Sequence, residues 1–261
     1  MPGNELIICK FLLENVEGIE LKHIGEIKTI GAPSSNVLGY TQITRFEEID
    51  DLISSEDSRK KADIYLNGTG VSLKQTGGGF SFNRLQRAEL SELYFTLRFS
   101  DINKKLLQID TEVERFHAGL LDRRDRPWQD FFNENDFKNL TEYLMMKGSP
   151  NVGASTHPAN LILEAPAECI SKDNILVYTF DEYFEKNKLE FKISIRRSWV
   201  GQSSNSEHNR AVGLARKPGN VPWVFDGVGT GTAGGPRKGW REDFPLEKRK
   251  TVYYLMISKP V

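Results

Sequence analysis

Residues 61–75, Lys-Ala-Asp-Ile-Tyr-Leu-Asn-Gly-Thr-Gly-Val-Ser-Leu-Lys-Gln, constrain this chain more than any other stretch. Two arms of period-two alternation meet at Asn67-Gly68, a strong two-residue turn signal, so a β-hairpin is expected. Ile64 and Leu66 alternate with Asp63 and Tyr65, and Val71 and Leu73 alternate with Ser72 and Lys74. Gly70 is expected to add a second position free to take positive φ. Successive side chains of a strand point to opposite faces, so Ser72 and Lys74 share one face and Val71 and Leu73 the other. Where the turn sets that register, Asp63 joins the polar face, and a carboxylate, a hydroxyl and an ammonium converge. The plainer account is an ordinary hairpin ion pair, common and weakly stabilising.

A chain of 261 residues can bury a large core. We expect a single domain over 1–261, α/β or α+β, with a central mixed sheet flanked by helices. Hydrophobic content of 38% and charged content of 27% are those of a soluble protein. No apolar run is long enough to span a bilayer, and the start Met1-Pro-Gly-Asn-Glu lacks the zones of a signal peptide. The two cysteines, Cys9 and Cys169, make neither a disulfide framework nor a metal-ligand spacing, so a cytoplasmic location is expected.

Net charge is −1, but its distribution is uneven. From Lys192 to Lys250 there are twelve Lys or Arg against five Asp or Glu, while 47–57 is acidic. Such asymmetry suggests a polyanion met by one face.

Glu5–Leu13 is apolar enough for a strand, and Gly31–Asn36 is a loop by composition. Thr44–Ile53 has Phe46, Ile49 and Ile53 at helical spacing behind a Thr44/Glu47 capping box. Gly77-Gly78-Gly79 either lets backbone approach a phosphate or permits a sharp turn. Helices are expected from Ser81 or Asn83 to Leu97, over Asp101–Leu120, and over Trp128–Met146 after a break at Asp125-Arg126-Pro127. Leu161–Leu163, Ile175–Phe180, Leu189–Trp199 and Thr251–Ile257 read as strands, and Gly201–Gly239 as loop-rich.

The hairpin resembles that of the PD-(D/E)xK nucleases, within them the type II restriction endonucleases. Ala62-Asp63 stands where the family has Pro-Asp, and Ser72-Leu73-Lys74 where it has an acid, any residue and Lys. The match spans about fifteen residues, and Ser72 departs from the pattern by replacing the second carboxylate. A branch of the family has Ser-x-Lys and brings the missing Glu from the following helix. Glu89, fifteen residues after Lys74, suits that part; Glu92 shares its helical face, and Glu48 is a rival.

The resemblance implies a restriction-endonuclease-like core and Mg²⁺-dependent hydrolysis of phosphodiester bonds in double-stranded DNA by a homodimer; the alternatives are a repair or recombination nuclease that reads DNA structure and, since Ser72 replaces an acid, a DNA-binding protein with a degraded nuclease core. Asp63, Ser72, Lys74 and Glu89 would be catalytic. Asp63, Glu89 and the Leu73 carbonyl would be metal ligands, since Mg²⁺ takes oxygen ligands and often only one or two carboxylates. Lys74 would orient or help deprotonate the attacking water. Gln75 would touch phosphate. A DNA-recognition region over about 192–250 would use Arg196, Arg197, Arg210, Arg216, Lys217, Arg237, Lys238 and Arg241. Arg is the usual bidentate reader of guanine, while Lys mostly meets phosphate. An ordinary solvated basic loop is the alternative for each.

Gly229-x-Gly231-x-x-Gly234 matches a dinucleotide fingerprint in letters only. No strand-turn-helix surrounds it, and Gly235-Pro236 follows where a helix should open, so that reading is rejected. His23, His117, His157 and His208 are scattered without metal-binding spacing and read as structural.

Overall fold

The structure, a computed structural model, describes residues 4–34, 39–45, 47–48, 60–121, 123–150, 152–229 and 235–260, and of residues 4 and 80–83 the backbone only. In chain order it forms α1 (Asn4–Glu14), β1 (Ile30–Pro33), β2 (Tyr40–Ile43), β3 (Ile64–Leu66), β4 (Thr69–Gln75) and β5 (Phe80–Leu85). Then come α2 (Arg87–Thr96), α3 (Ile102–His117), β6 (Asp125–Pro127), α4 (Glu134–Glu142), β7 (Leu161–Ala165), β8 (Leu176–Tyr178) and α5 (Phe180–Asn187). The last elements are β9 (Lys192–Val200), α6 (Asn205–Ala215), β10 (Val224–Asp226) and β11 (Lys250–Lys259). The fold is mixed α/β, with helices flanking a mixed sheet. The chain forms two compact units, one of Met1–Phe80, Leu140–Glu190 and Pro260–Val261, the other of Ser81–Asn139 and Phe191–Lys259.

In the first unit the sheet runs β8-β7-β4-β3-β1-β2. β4 and β7 are parallel, with Leu73 opposite Leu163 and Lys74 opposite Glu164; the other pairs are antiparallel. α1 covers the apolar face, where Ile8, Cys9 and Leu12 join Val71, Leu73, Leu161 and Leu163 in one buried cluster. This corrects the strand expected over 5–13. Ile8, Cys9 and Leu12 recur at i, i+1 and i+4, and Lys10 pairs with Glu14 one turn on at 3.7 Å, both signatures of a helix.

In the second unit β9 and β11 pair antiparallel from Lys192 against Ser258 to Val200 against Lys250, with β10, β6 and β5 alongside. The helix expected from Ser81 starts later. Phe80-Ser-Phe-Asn-Arg-Leu85 alternates as a strand, and helix begins only after Gln86. The Asp125–Pro127 break is itself a strand, β6. Trp128–Met146 divides into a 3₁₀ turn, α4 and a π turn at Tyr143–Lys147. Gly201–Gly239, expected as loop, contains α6, which buries Ala211 and Leu214 three residues apart.

The strand expected through Phe180 ends at Tyr178, because Thr179 and Glu182 cap each other and open α5. Most of the helix expected over Thr44–Ile53 lies outside the described residues. No helix among the described residues is long and apolar enough to cross a membrane.

Candidate active site in the hairpin

The β3–β4 turn is built as its residues require. Asn67 and Gly68 take φ of 49° and 80°, and Leu66 faces Thr69 across them. Gly70 does something other than expected. Its φ is not positive; a Cβ there would collide with the Pro158 carbonyl, so glycine is needed for close approach.

β3 pairs with β4 only from Ile64, opposite Val71, whereas β4 continues to Gln75. Beyond that point the Asp63 carboxylate replaces the missing backbone partner. Its Oδ2 accepts the Leu73 N–H at 2.7 Å and the Ser72 hydroxyl at 3.2 Å. Lys74 Nζ in turn donates to Ser72 Oγ at 2.8 Å and to the Leu73 carbonyl at 2.9 Å. The four groups therefore form one hydrogen-bonded cluster at the point where two strands part. Ser72 is buried, Asp63 and Lys74 are half-buried, and Gln75 is exposed at the strand end.

Two charged residues that the sequence reading passed over belong with this cluster. Burial pushes the Glu5 carboxyl above its ordinary range; the Asp63 charge adds to the rise and Lys74 opposes it. Cys9, one helical turn along α1, has its thiol pushed up by burial and by the charges of Asp63 and Glu5. Glu5 and Cys9, one turn apart on α1, thus both feel the Asp63 charge. The second residue is Lys61, whose pKa falls to about 8 through burial and the neighbouring Lys74, with Asp63 opposing. Glu5 escaped notice because 5–13 read as a strand; the helical spacing of Ile8, Cys9 and Leu12 is the signal that exposes it.

Two of the other expected acids, Glu89 and Glu48, have partners of their own. Glu89 belongs to the second unit, where its carboxylate takes Lys217 Nζ at 3.3 Å, and burial raises its pKa against that pairing. Glu48 Oε2 accepts the backbone N–H groups of Thr44 and Arg45, which holds its pKa low. Glu92 is exposed on α2.

His157 is buried and both ring nitrogens are bonded. Nε2 donates to the Ser34 carbonyl at 2.9 Å, leaving Nδ1 to accept from the Tyr65 hydroxyl at 3.0 Å. Among the described residues no three or more His, Cys, Asp and Glu side chains come close enough to hold a metal ion.

The cations expected to read DNA fall in the second unit and behave unequally. Arg197 is half-buried, lies over the Phe116 and Trp199 rings and bonds Tyr253. Arg210 pairs with Glu207, and Lys217 with Gln86 and Glu89. Arg241 donates to the Gln202 carbonyl at 3.2 Å and to Asn205 Oδ1. Arg196 keeps a buried Nε without a hydrogen-bond partner among the described residues. Arg216, Arg237 and Lys238 are exposed. Arg216 borders a recess of about 390 Å³ floored by Val200, Val212, Ala215 and Val224, with Lys248 and Lys250 also on its rim. Gly231 and Gly234 lie outside the described residues.

Comparison with protein-family models, with curated proteins and with solved structures finds no match to this chain.

Proposed function

We propose that the chain is a Mg²⁺-dependent endonuclease of the type II restriction kind, hydrolysing phosphodiester bonds in double-stranded DNA. The observation that carries the reading is the bonded set Asp63, Ser72, Leu73 carbonyl and Lys74 where β3 leaves β4. A mixed sheet with a helix packed on the hairpin's apolar face is what a restriction-endonuclease-like core requires, and that finer fold belongs to the proposal. So do a homodimer and a cytoplasmic setting.

The donor set suits a hard cation. Both hydrogen bonds to the Asp63 carboxylate fall on Oδ2, so Oδ1 is open among the described residues, and the Leu73 carbonyl has a second lone pair beyond the one used by Lys74. Glu5 is the second carboxylate in this proposal, because it feels the Asp63 charge, whereas Glu89 is paired with Lys217. Asp63, Glu5 and the Leu73 carbonyl would hold Mg²⁺, the remaining positions falling to water and substrate phosphate. Bound there, the cation supplies a bound water of lowered pKa and charge stabilisation of the transition state.

The chain's own residues do the rest. Asp63 fixes the β4 backbone through the Leu73 N–H, and Ser72 holds Lys74 by its ammonium. Lys74 orients the attacking water and offsets charge developing on the phosphate oxygens.

A nuclease that reads DNA structure, not sequence, would use the same site. The protein partners already taken by Arg197, Arg210, Lys217 and Arg241 favour that second reading, since they leave fewer guanidinium groups for base edges. Digestion of plasmid and phage DNA with Mg²⁺, beside EDTA and Lys74→Ala controls, tests both. Sharp bands lost in both controls establish a sequence-specific nuclease, and smears or structure-dependent nicks the alternative. No cleavage with any divalent metal would overturn the catalytic reading.

A further inference from the structure

At the tip of the same hairpin, about 13 Å from Asp63 at roughly 3.3 Å per strand residue, lies a second feature that the proposed chemistry does not use. Tyr40, at the start of edge strand β2, lays its ring across the sheet. It stacks on Tyr65 with centroids 4.6 Å apart and planes 17° from parallel. Two glycines make room for it: a Cβ at Gly31 would run into the ring, and one at Gly68 would press on the hydroxyl. Tyr65 is held by its bond to His157. Tyr40 nonetheless remains 37% exposed. An aromatic ring clamped from beneath and open above is a preorganised stacking surface.

The ring walls a recess of about 520 Å³ lined by Ile24, Glu26, Lys28, Thr29, Tyr40 and Asn67. Asn67 stiffens the opposite wall. Its Oδ1 accepts the backbone N–H groups of Lys28 and Thr29 at 2.8 and 3.1 Å, and its Nδ2 donates to the Glu26 carbonyl at 2.8 Å. Lys28 is exposed on the rim with no ion pair among the described residues. Glu26, also exposed, can accept the amino group of a base edge and repels a second phosphate, so the recess suits one nucleotide and not a run of backbone.

We propose that this recess binds a single unpaired nucleotide of a nucleic-acid strand, the base stacked on Tyr40 and its phosphate on Lys28. The inference rests on the nuclease reading and deepens it. Tyr65, beneath the Tyr40 ring, and Asn67 at the turn lie about 7 to 13 Å along the strand from Asp63, or about two to four base steps at 3.4 Å each, so the substrate carries a frayed or single-stranded nucleotide within a few steps of the bond at Asp63. Stacking on aromatic side chains tolerates any base, because every base has a π-face.

The test is binding of a short single-stranded oligonucleotide carrying one 2-aminopurine, read by anisotropy and by 2-aminopurine quenching in EDTA, where nothing is cut. Tyr40→Ala should weaken binding roughly 5- to 150-fold and abolish the quenching. Tyr40→Phe, which keeps the ring, should bind within about twofold, and Lys28→Ala should weaken binding and flatten its salt dependence. Blunt duplex should respond to none of these changes. Unchanged binding and quenching in both Tyr40→Ala and Lys28→Ala would overturn the proposal. Equally tight binding of an oligonucleotide abasic at the probe position would overturn it too, since no base would then stack on Tyr40. The readout needs no cleavage, so failure of the nuclease reading would show separately, as an uncut plasmid.

Discussion

In the β3–β4 hairpin the charged and polar groups point at one another, whereas the cations of 192–250 mostly point at protein partners. Asp63, Ser72 and Lys74 lie within twelve residues, and a two-residue turn fixes their register, so their meeting is a local consequence of chain geometry. Arg197, Arg210 and Arg241 answer instead to Tyr253, Glu207 and Gln202, partners set by how β9, α6 and the following loops pack. Clustered charge on a sequence is therefore a poor guide to an open surface, while alternating charge on a tight hairpin is a good guide to which side chains meet.

The sharpest way to break this contrast is in the hairpin. Lys74→Ala should lower the cleavage rate by about 10² to 10³-fold, the usual scale for removing one group that stabilises transition-state charge, with thermal stability nearly unchanged. A rate within threefold of wild type would remove Lys74 from the chemistry. Asp63→Ala should in addition destabilise the protein by about 1–3 kcal/mol in urea unfolding, because the buried Leu73 N–H loses its acceptor. An unchanged midpoint would mean that water or backbone takes over the bond.

For the basic segment the contrast predicts a split in salt dependence. Arg216→Ala, Arg237→Ala and Lys238→Ala should each reduce the slope of log K against log salt for DNA binding by about 1. Arg210→Ala and Arg241→Ala should leave the slope unchanged and cost about 1 kcal/mol or less of stability. Equal slopes across all five would erase the distinction between engaged and open cations.

The smallest effect is one of pH. Lys61 has a folded-state pKa of about 8, below its ordinary value, so between about 8 and 10.5 the unfolded chain binds more protons than the folded one. Stability should rise with pH across that window through this group, and Lys61→Met should lose that part of the rise. Identical pH profiles for the two proteins would show that Lys61 is solvated like any surface lysine.

What could be read in advance follows the range of the forces involved. The hairpin, its Asn67-Gly68 turn and the polar face of Ser72 and Lys74 were legible because turn chemistry and period-two alternation act over a few residues. Strands β7, β9 and β11 were legible too, β9 by its alternation and β7 and β11 by their apolar runs. α1 was not, because four apolar residues in a row from Leu6 hid the helical spacing of Ile8, Cys9 and Leu12, and Glu5 was missed with it. α6 was concealed by polar composition, since Asn205, Ser206, Asn209 and Gly213 are weak helix formers that packing of Ala211 and Leu214 overrides. The role of Gly70 lies in Pro158, eighty-eight residues away, and no local pattern announces it.

The most direct test sets Glu5→Gln beside Glu89→Gln in single-turnover cleavage with Mg²⁺. Because burial raises the pKa of Glu5, its folded state binds more protons than the unfolded chain just above the ordinary carboxyl range, and stability falls with pH there. Glu5→Gln removes that loss, so its melting temperature at pH 7 should equal or exceed that of the wild type, and a loss of rate cannot be ascribed to misfolding. The account predicts a rate lowered about 100-fold or more in Glu5→Gln and within about threefold of wild type in Glu89→Gln. An active Glu5→Gln beside an inactive Glu89→Gln would contradict it and return the second carboxylate to α2.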